Sequence, residues 1–298
     1  MSCALLGILL DASTAGWSNR ADCLTLDSTL RAVMALIRAH FALSPSNELA
    51  FIVTTDAGAH VLFAPASSPA SSSSSAASTV AATINDGLRQ LAHVDRSDGG
   101  GGGGGSSDKL GTFAASLSQM LCIVNRFLRV GMSSSASVVA PVGDSAAAAA
   151  HGDRRRCARV LALQCAGDDP TQYISTMNGI FCAQKLDVPV DACVLRTDDV
   201  SFLQQAASIT GGVYVRPPLA GLERSLVQTL LLHFLPDNHA RALLNMPQQS
   251  QVDMRASCVC HGTMLDIGFV CSVCLSIFCA RSPICDTCGA RFELPVID

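Results

Sequence analysis

Two Cys-x-x-Cys knuckles near the C-terminus, Cys271/Cys274 and Cys285/Cys288, constrain this chain more than any other feature. Each knuckle can place two thiolates on one ion at the bond length of about 2.3 Å that zinc requires. Four thiolates close a tetrahedron and leave no open position for water, so the pattern predicts structural rather than catalytic zinc. A disulfide framework fits poorly. The last forty or so residues also contain Cys258, Cys260 and Cys279, an odd total with the knuckles, and no leader-like segment opens the sequence. A thioredoxin-type pair fits no better, because it expects one Cys-x-x-Cys opening a helix after a strand.

The leftover ligands define a candidate second zinc site. If Cys271, Cys274, Cys285 and Cys288 hold one ion, then Cys258, Cys260 and Cys279 remain, with His261 beside them as a fourth donor. The two sets would interleave along the chain, as in a RING-like cross-brace. Against this, Cys-x-Cys-His is irregular spacing and Cys279 has no close partner in sequence. The competing reading is buried apolar thiols next to a solvated histidine.

The whole chain, 298 residues with 49% apolar content, can bury a full core. A net charge of −4 argues against a nucleic-acid footprint spread over the surface. Arg154, Arg155, Arg156 and Arg159 form the one basic run, read here as a solvated loop face. No stretch reaches the roughly eighteen apolar residues of a membrane span, so a soluble intracellular protein without membrane contact is expected. Three low-complexity inserts, near 65-79, 97-108 and 131-152, are rich in Ser, Gly and Ala. They offer too little apolar side chain to offset ordering entropy, so surface insertions are expected.

Between the inserts, strand and helix patterns alternate. Ala4 to Leu10 is a continuous apolar run ending at Asp11, the mark of a strand buried on both faces. Leu30, Val33, Met34, Ile37 and Phe41 then recur at helical spacing, with Asp27 and Ser28 as caps. Leu49–Val53 and Val61–Phe63 read as a hairpin, and helical patterns follow through Ile84, Leu88 and Leu91 and through Phe113 to Leu128. Strands over 160–165 and 188–195 alternate with helices over 171–184 and 202–209. An edge strand at 213–215 and a last helix at 221–235, stopped by Pro236, complete the pattern. The expected fold is α/β, a mostly parallel Rossmann-type sheet with helices on both faces.

In such sheets ligands bind at the carboxyl ends of strands, where Asp11 stands. Asp11-Ala12-Ser13-Thr14-Ala15 resembles the Asp-x-Ser-x-Ser opening of the metal-ion-dependent adhesion site of von Willebrand A domains. Thr112 and Asp168 stand where that family has its later Thr and Asp. Ala15 replaces one hydroxyl, so Asp11, Ser13, Thr112 and Asp168 form a degenerate magnesium site, and Asp11 is expected to cap its own loop instead.

Enzyme signatures are missing. No G-x-S-x-G elbow, Walker lysine loop or spaced dinucleotide glycines occur, and the histidines outside the cysteine cluster are isolated. Asp168-Asp169 and Asp198-Asp199 read as loop turns at strand ends. No catalytic residue is assigned.

Several strings carry a specific resemblance: Val190-Asp191-Ala192-Cys193-Val194-Leu195, Leu203-Gln204-Gln205-Ala206, Ile209-Thr210-Gly211-Gly212-Val213-Tyr214, and above all Gly268 through Cys279. They resemble the smaller von Willebrand A-like subunit of TFIIH, the general transcription and nucleotide-excision-repair factor. The resemblance implies a von Willebrand A-like domain over 1-240, a linker over 241-256 and a C4-type, RING-like zinc module over 257-298. It also implies a non-catalytic nuclear subunit that docks on the larger TFIIH subunit built from an A domain and a zinc module. The family's four-cysteine finger maps onto Cys271, Cys274, Cys285 and Cys288. With no basic extension in view, direct nucleic-acid contact is not expected. Two other readings compete: a RING-type E3 ubiquitin ligase, and a magnesium-dependent A-domain binding module.

Overall fold

The computed structural model describes residues 3–17, 24–65, 76–97, 113–133, 156–169, 172–218, 221–247, 252–261 and 263–292. Most of the three inserts, together with Thr112, Arg154 and Arg155, lies outside the described residues. Helix nevertheless reaches into the insert edges: α3 (Ala76–Ser97) begins within the first Ser/Ala tract and α4 (Phe113–Ser133) ends inside the third. At the first of these edges Ala76 and Ala77, with alanine's high helix propensity, favour the helix over a loop.

The central strand is β1 (Cys3–Asp11), paired in parallel with β2 (Glu48–Thr55) on one side and β4 (Arg156–Gln164) on the other. β3 (Gly58–Phe63) returns antiparallel against β2, forming the expected hairpin. β5 (Val190–Val194) and the edge strand β6 (Tyr214–Val215) continue in parallel, giving the order β3-β2-β1-β4-β5-β6. This is the von Willebrand A-like α/β architecture that the sequence implied.

Burial of β1 on both faces follows from its uninterrupted apolar run. Leu6, Ile8 and Leu10 pack into one core with α2 (Leu26–Leu43) and α7 (Leu222–Phe234), contributing next to Val33, Ile37 and Leu230. Leu5 and Leu9 point to the opposite face, into a second core with Leu117, Met120 and Val124 of α4. At Gly7 a Cβ would lie 2.6 Å from Met120 Sδ, so the missing side chain lets α4 close on the sheet. α5 (Tyr173–Lys185) and α6 (Ser201–Thr210) cover that same second core through Ile180 and Leu203. α6 ends at Gly211, whose φ of 72° suits glycine.

Three local expectations need correction. Thr25, not Asp27 or Ser28, caps α2: its side chain accepts from Ser28 N at 3.1 Å, and Ser28 Oγ accepts from Thr25 N at 3.0 Å. Asp27 instead pairs with Arg31 one turn on. The helix ending near Pro236 is not the last. Asp237 Oδ1 accepts from Ala240 N at 2.8 Å and starts α8 (Asn238–Leu243). Arg156 and Arg159 are not a solvated loop face either, because both lie in β4. Arg159 donates to the carbonyls of Leu235 and Pro236 beyond the end of α7, and Arg156 donates to Phe127 O at 3.0 Å while its guanidinium lies 4.8 Å over the Phe127 ring.

No helix among the described residues is long and apolar enough to cross a membrane.

Candidate metal centre

The C-terminal segment has two short antiparallel ribbons. β7 (Ala256–Ser257) pairs with β8 (Met264–Leu265), and β9 (Phe269–Val270) with β10 (Ile277–Phe278). The two knuckles have the same backbone geometry. Cys271 N donates to Ser276 O at 2.9 Å and Leu275 N to Cys271 O at 2.9 Å; Cys285 N donates to Ala290 O at 2.8 Å and Gly289 N to Cys285 O at 2.8 Å. The residue after the second cysteine is left-handed in both, Leu275 at φ 62° and Gly289 at φ 71°. Glycine adopts that conformation freely, whereas Leu275 does so against its Cβ.

These turns bring four sulfurs together. The Sγ atoms of Cys271, Cys274, Cys285 and Cys288 all lie within 4.8 Å of one another, with Cys271–Cys288 at 3.8 Å and Cys274–Cys285 at 3.6 Å. Two zinc–sulfur bonds of about 2.3 Å at a tetrahedral angle separate their sulfurs by about 3.8 Å, so the donor set fits a thiophilic ion. Cys271 and Cys285 are buried, and Phe278 packs with them. The Ser276 hydroxyl, 3.2 Å from Cys274 Sγ, pulls that thiol down to about 6, toward the thiolate that a metal needs.

The second set also converges. Ligand atoms of Cys258, Cys260, His261 and Cys279 lie within 4.8 Å of one another, with Cys260–Cys279 at 3.4 Å and Cys279 Sγ to His261 Nδ1 at 3.3 Å. The bond that closes it is Val259 N to Ile277 O at 2.9 Å, which lays the Cys258–Cys260 segment along β10 beside Cys279. Cys279 thus has partners that its place in the sequence conceals. Each of the two clusters could hold a metal ion, and their ligands alternate along the chain.

In the degenerate magnesium site, Asp11 and Asp168 accept from backbone N–H groups. Asp11 Oδ1 accepts from Ser13 N at 3.0 Å, the local cap expected, while Oδ2 accepts from Cys165 N at 3.0 Å and Ala166 N at 2.7 Å across the end of β4. Ser13 Oγ is buried without a hydrogen-bond partner. Asp168 turns to the start of α6, where Oδ2 accepts from Ser201 N at 2.6 Å; burial outweighs this bond and pushes its carboxyl up to about 6. Thr112 lies outside the described residues. Among the described residues no metal-competent group of three His, Cys, Asp or Glu ligands includes Asp11 or Asp168.

Two features escaped the sequence reading. Asp191 in β5 is held by Arg241 of α8. Buried Gln205 of α6 donates through Nε2 to Asp253 O at 2.8 Å and Arg255 O at 3.3 Å, tying the segment before the metal clusters to the sheet's helical layer. Arg255 in turn grips Asp253 and Asp266. Neither feature carries a local sequence signal, because its partners stand 48 to 50 residues apart.

Comparison with known proteins decides the family. The family model for transcription factor Tfb4 matches residues 3–289. The chain belongs to the Tfb4 family. Among relatives of this Tfb4-family chain, the Arabidopsis thaliana "General transcription and DNA repair factor IIH subunit TFB4" is 32% identical over 299 residues, covering 99% of this chain and 91% of the relative. The Dictyostelium discoideum "General transcription factor IIH subunit 3" is 42% identical over 185 residues, covering 62% of this chain and 43% of that protein's length. The crystal structure of the TFIIH p34 N-terminal domain superposes with a TM-score of 0.60 at 24% identity, covering 78% of this chain and 98% of that one, which supports the fold.

Proposed function

We propose that this Tfb4-family chain is a non-catalytic structural subunit of the TFIIH core, acting in the nucleus in RNA polymerase II transcription initiation and nucleotide excision repair. The observation that carries this is the family match from residue 3 to residue 289, with an alignment reaching 91% of a TFIIH subunit's length. Its work is protein–protein interaction with the other core subunits, first among them the larger subunit with its own A domain and zinc module. The A-like domain spans 1-240, the linker 241-256 and the metal module 257-298. The module binds zinc as a structural clamp, one ion on Cys271, Cys274, Cys285 and Cys288 and a second on Cys258, Cys260, His261 and Cys279. Thiolate-rich closed sets favour zinc over the oxygen-loving ions and leave no site for substrate. Asp11, with three backbone donors on its carboxylate, acts as a staple between β1 and β4 and holds no magnesium.

Affinity capture of the tagged chain from nuclear extract tests this reading. Stoichiometric recovery of the other TFIIH core subunits is expected, and recovery of a free monomer sinks it.

One observation favours a second reading. The ligands of the two clusters alternate along the chain and Val273, Leu275 and Ile284 of the same segment are exposed, which supports a RING-type ligase. Ubiquitin-chain synthesis by the purified protein with a conjugating enzyme would establish it; none is expected from a structural subunit.

A further inference from the structure

The carboxyl ends of β1 and β4 border a cavity of about 40 Å³. Phe113 and Phe202 supply apolar walls, and Asp11, Asp168, Asp169 and Gln164 the polar ones. Gln164 is only 8% exposed. Its Nε2 donates to Gly167 O at 3.4 Å, while Oε1 is buried with no hydrogen-bond partner. A buried amide oxygen without a donor is uncommon and marks a place where a donor belongs.

The charge around the cavity points the same way. Asp11 and Asp168 accept only from backbone N–H groups, and among the described residues neither makes an ion pair. The nearby cation is Arg196, whose Nη1 would lie 2.7 Å from a Cβ on Gly167, and it is paired with Asp198 at 2.9 Å. The carboxylates therefore outnumber the cations. Burial raises the Asp168 carboxyl even against the pull of the Ser201 and Phe202 N–H groups and of Arg196.

We propose that this cavity is a socket for a lysine side chain presented by a partner protein. An ammonium has three donors and no acceptor, which suits an orphaned amide oxygen among carboxylates. The volume admits about three water-sized groups, enough for an ammonium and its last methylene and too little for a nucleotide. Magnesium suits the site less well, because it requires near-octahedral oxygen ligands and Asp11 already takes three N–H bonds. The proposal is independent of the metal clusters.

Nuclear magnetic resonance of the full chain tests it, with n-butylammonium chloride as the probe and n-butanol as the uncharged control. Saturable shifts at the Gln164 side-chain amide and at Ala166 and Gly167 N–H are expected, with dissociation in the millimolar range. In Asp168→Asn the affinity should fall at least tenfold; if that chain does not fold, Asp169→Asn serves the same purpose. Equal shifts from n-butanol, no saturable shift in a well-folded spectrum, or the same shifts from magnesium chloride at lower concentration would each overturn the proposal.

Discussion

Arg241 reaches from α8 to hold the Asp191 carboxylate with two nitrogens, Nη1 at 2.8 Å from Oδ1 and Nη2 at 2.5 Å from Oδ2. Both side chains are nearly buried, and Asp191 Oδ1 also accepts from Val213 N at 2.8 Å. The pair thus ties the short helix α8 to β5 and to the residue that leads into β6. Removing one partner leaves an uncompensated buried charge, which costs about 3–5 kcal/mol. Arg241→Ala should lower unfolding free energy by that amount in urea titration, and Asp191→Leu combined with Arg241→Met should recover most of it. Equal losses in the single and double variants would show that the pair is not the cause.

Zinc content separates the two clusters. The purified chain should carry two ions by elemental analysis, Cys279→Ser one, and Cys271→Ser should lose the ion of its own set. Structural zinc contributes on the order of 10 kcal/mol to folding, so chelation should expose residues 257–298 to protease while the sheet persists.

Two buried groups pull the pH dependence in opposite directions. Burial lowers His40 to about 4, so the unfolded chain binds its proton more tightly and stability rises as pH climbs from about 4 to 6.5. Asp168 is raised to about 6, so the folded chain holds its proton longer and stability falls between about 3.8 and 6. Each shift corresponds to about 3 kcal/mol. The wild-type profile should be nearly flat across this window. Asp168→Asn should make stability rise with pH, and His40→Gln should make it fall; chemical denaturation at pH 4, 5 and 6 reads both slopes.

The left-handed residues of the two knuckles should respond in opposite ways. Gly289→Val forces a β-branched side chain to positive φ and should cost about 1–3 kcal/mol. Leu275→Gly relieves the same conformation and should be neutral or slightly stabilising. Thermal unfolding of the zinc-loaded chain distinguishes the two.

Much of this was readable from residue order. The apolar run of β1 announces a strand buried on both faces because Leu5, Leu6, Ile8, Leu9 and Leu10 each have a core to enter. The two knuckles are legible because their spacing is local. The second cluster was legible only as leftover donors, since the Val259–Ile277 bond that assembles it joins distant positions. Asp191 and Arg241 stand fifty residues apart, with nothing in either neighbourhood to announce the other. Arg159 was misread because four nearby arginines look like a charged face, whereas strand alternation sends Arg159 to waiting carbonyls.

The alternation of ligands along the metal module carries a mechanical meaning. With an ion in each cluster, the loop from Cys258 to Cys279 would overlap the loop from Cys271 to Cys288. Like interlocked links, they would share the stretch between Cys271 and Cys279, which would stay tethered if either ion departed. Damage at one cluster would therefore slacken the module rather than release it, and the chain would let go of its shape in two steps.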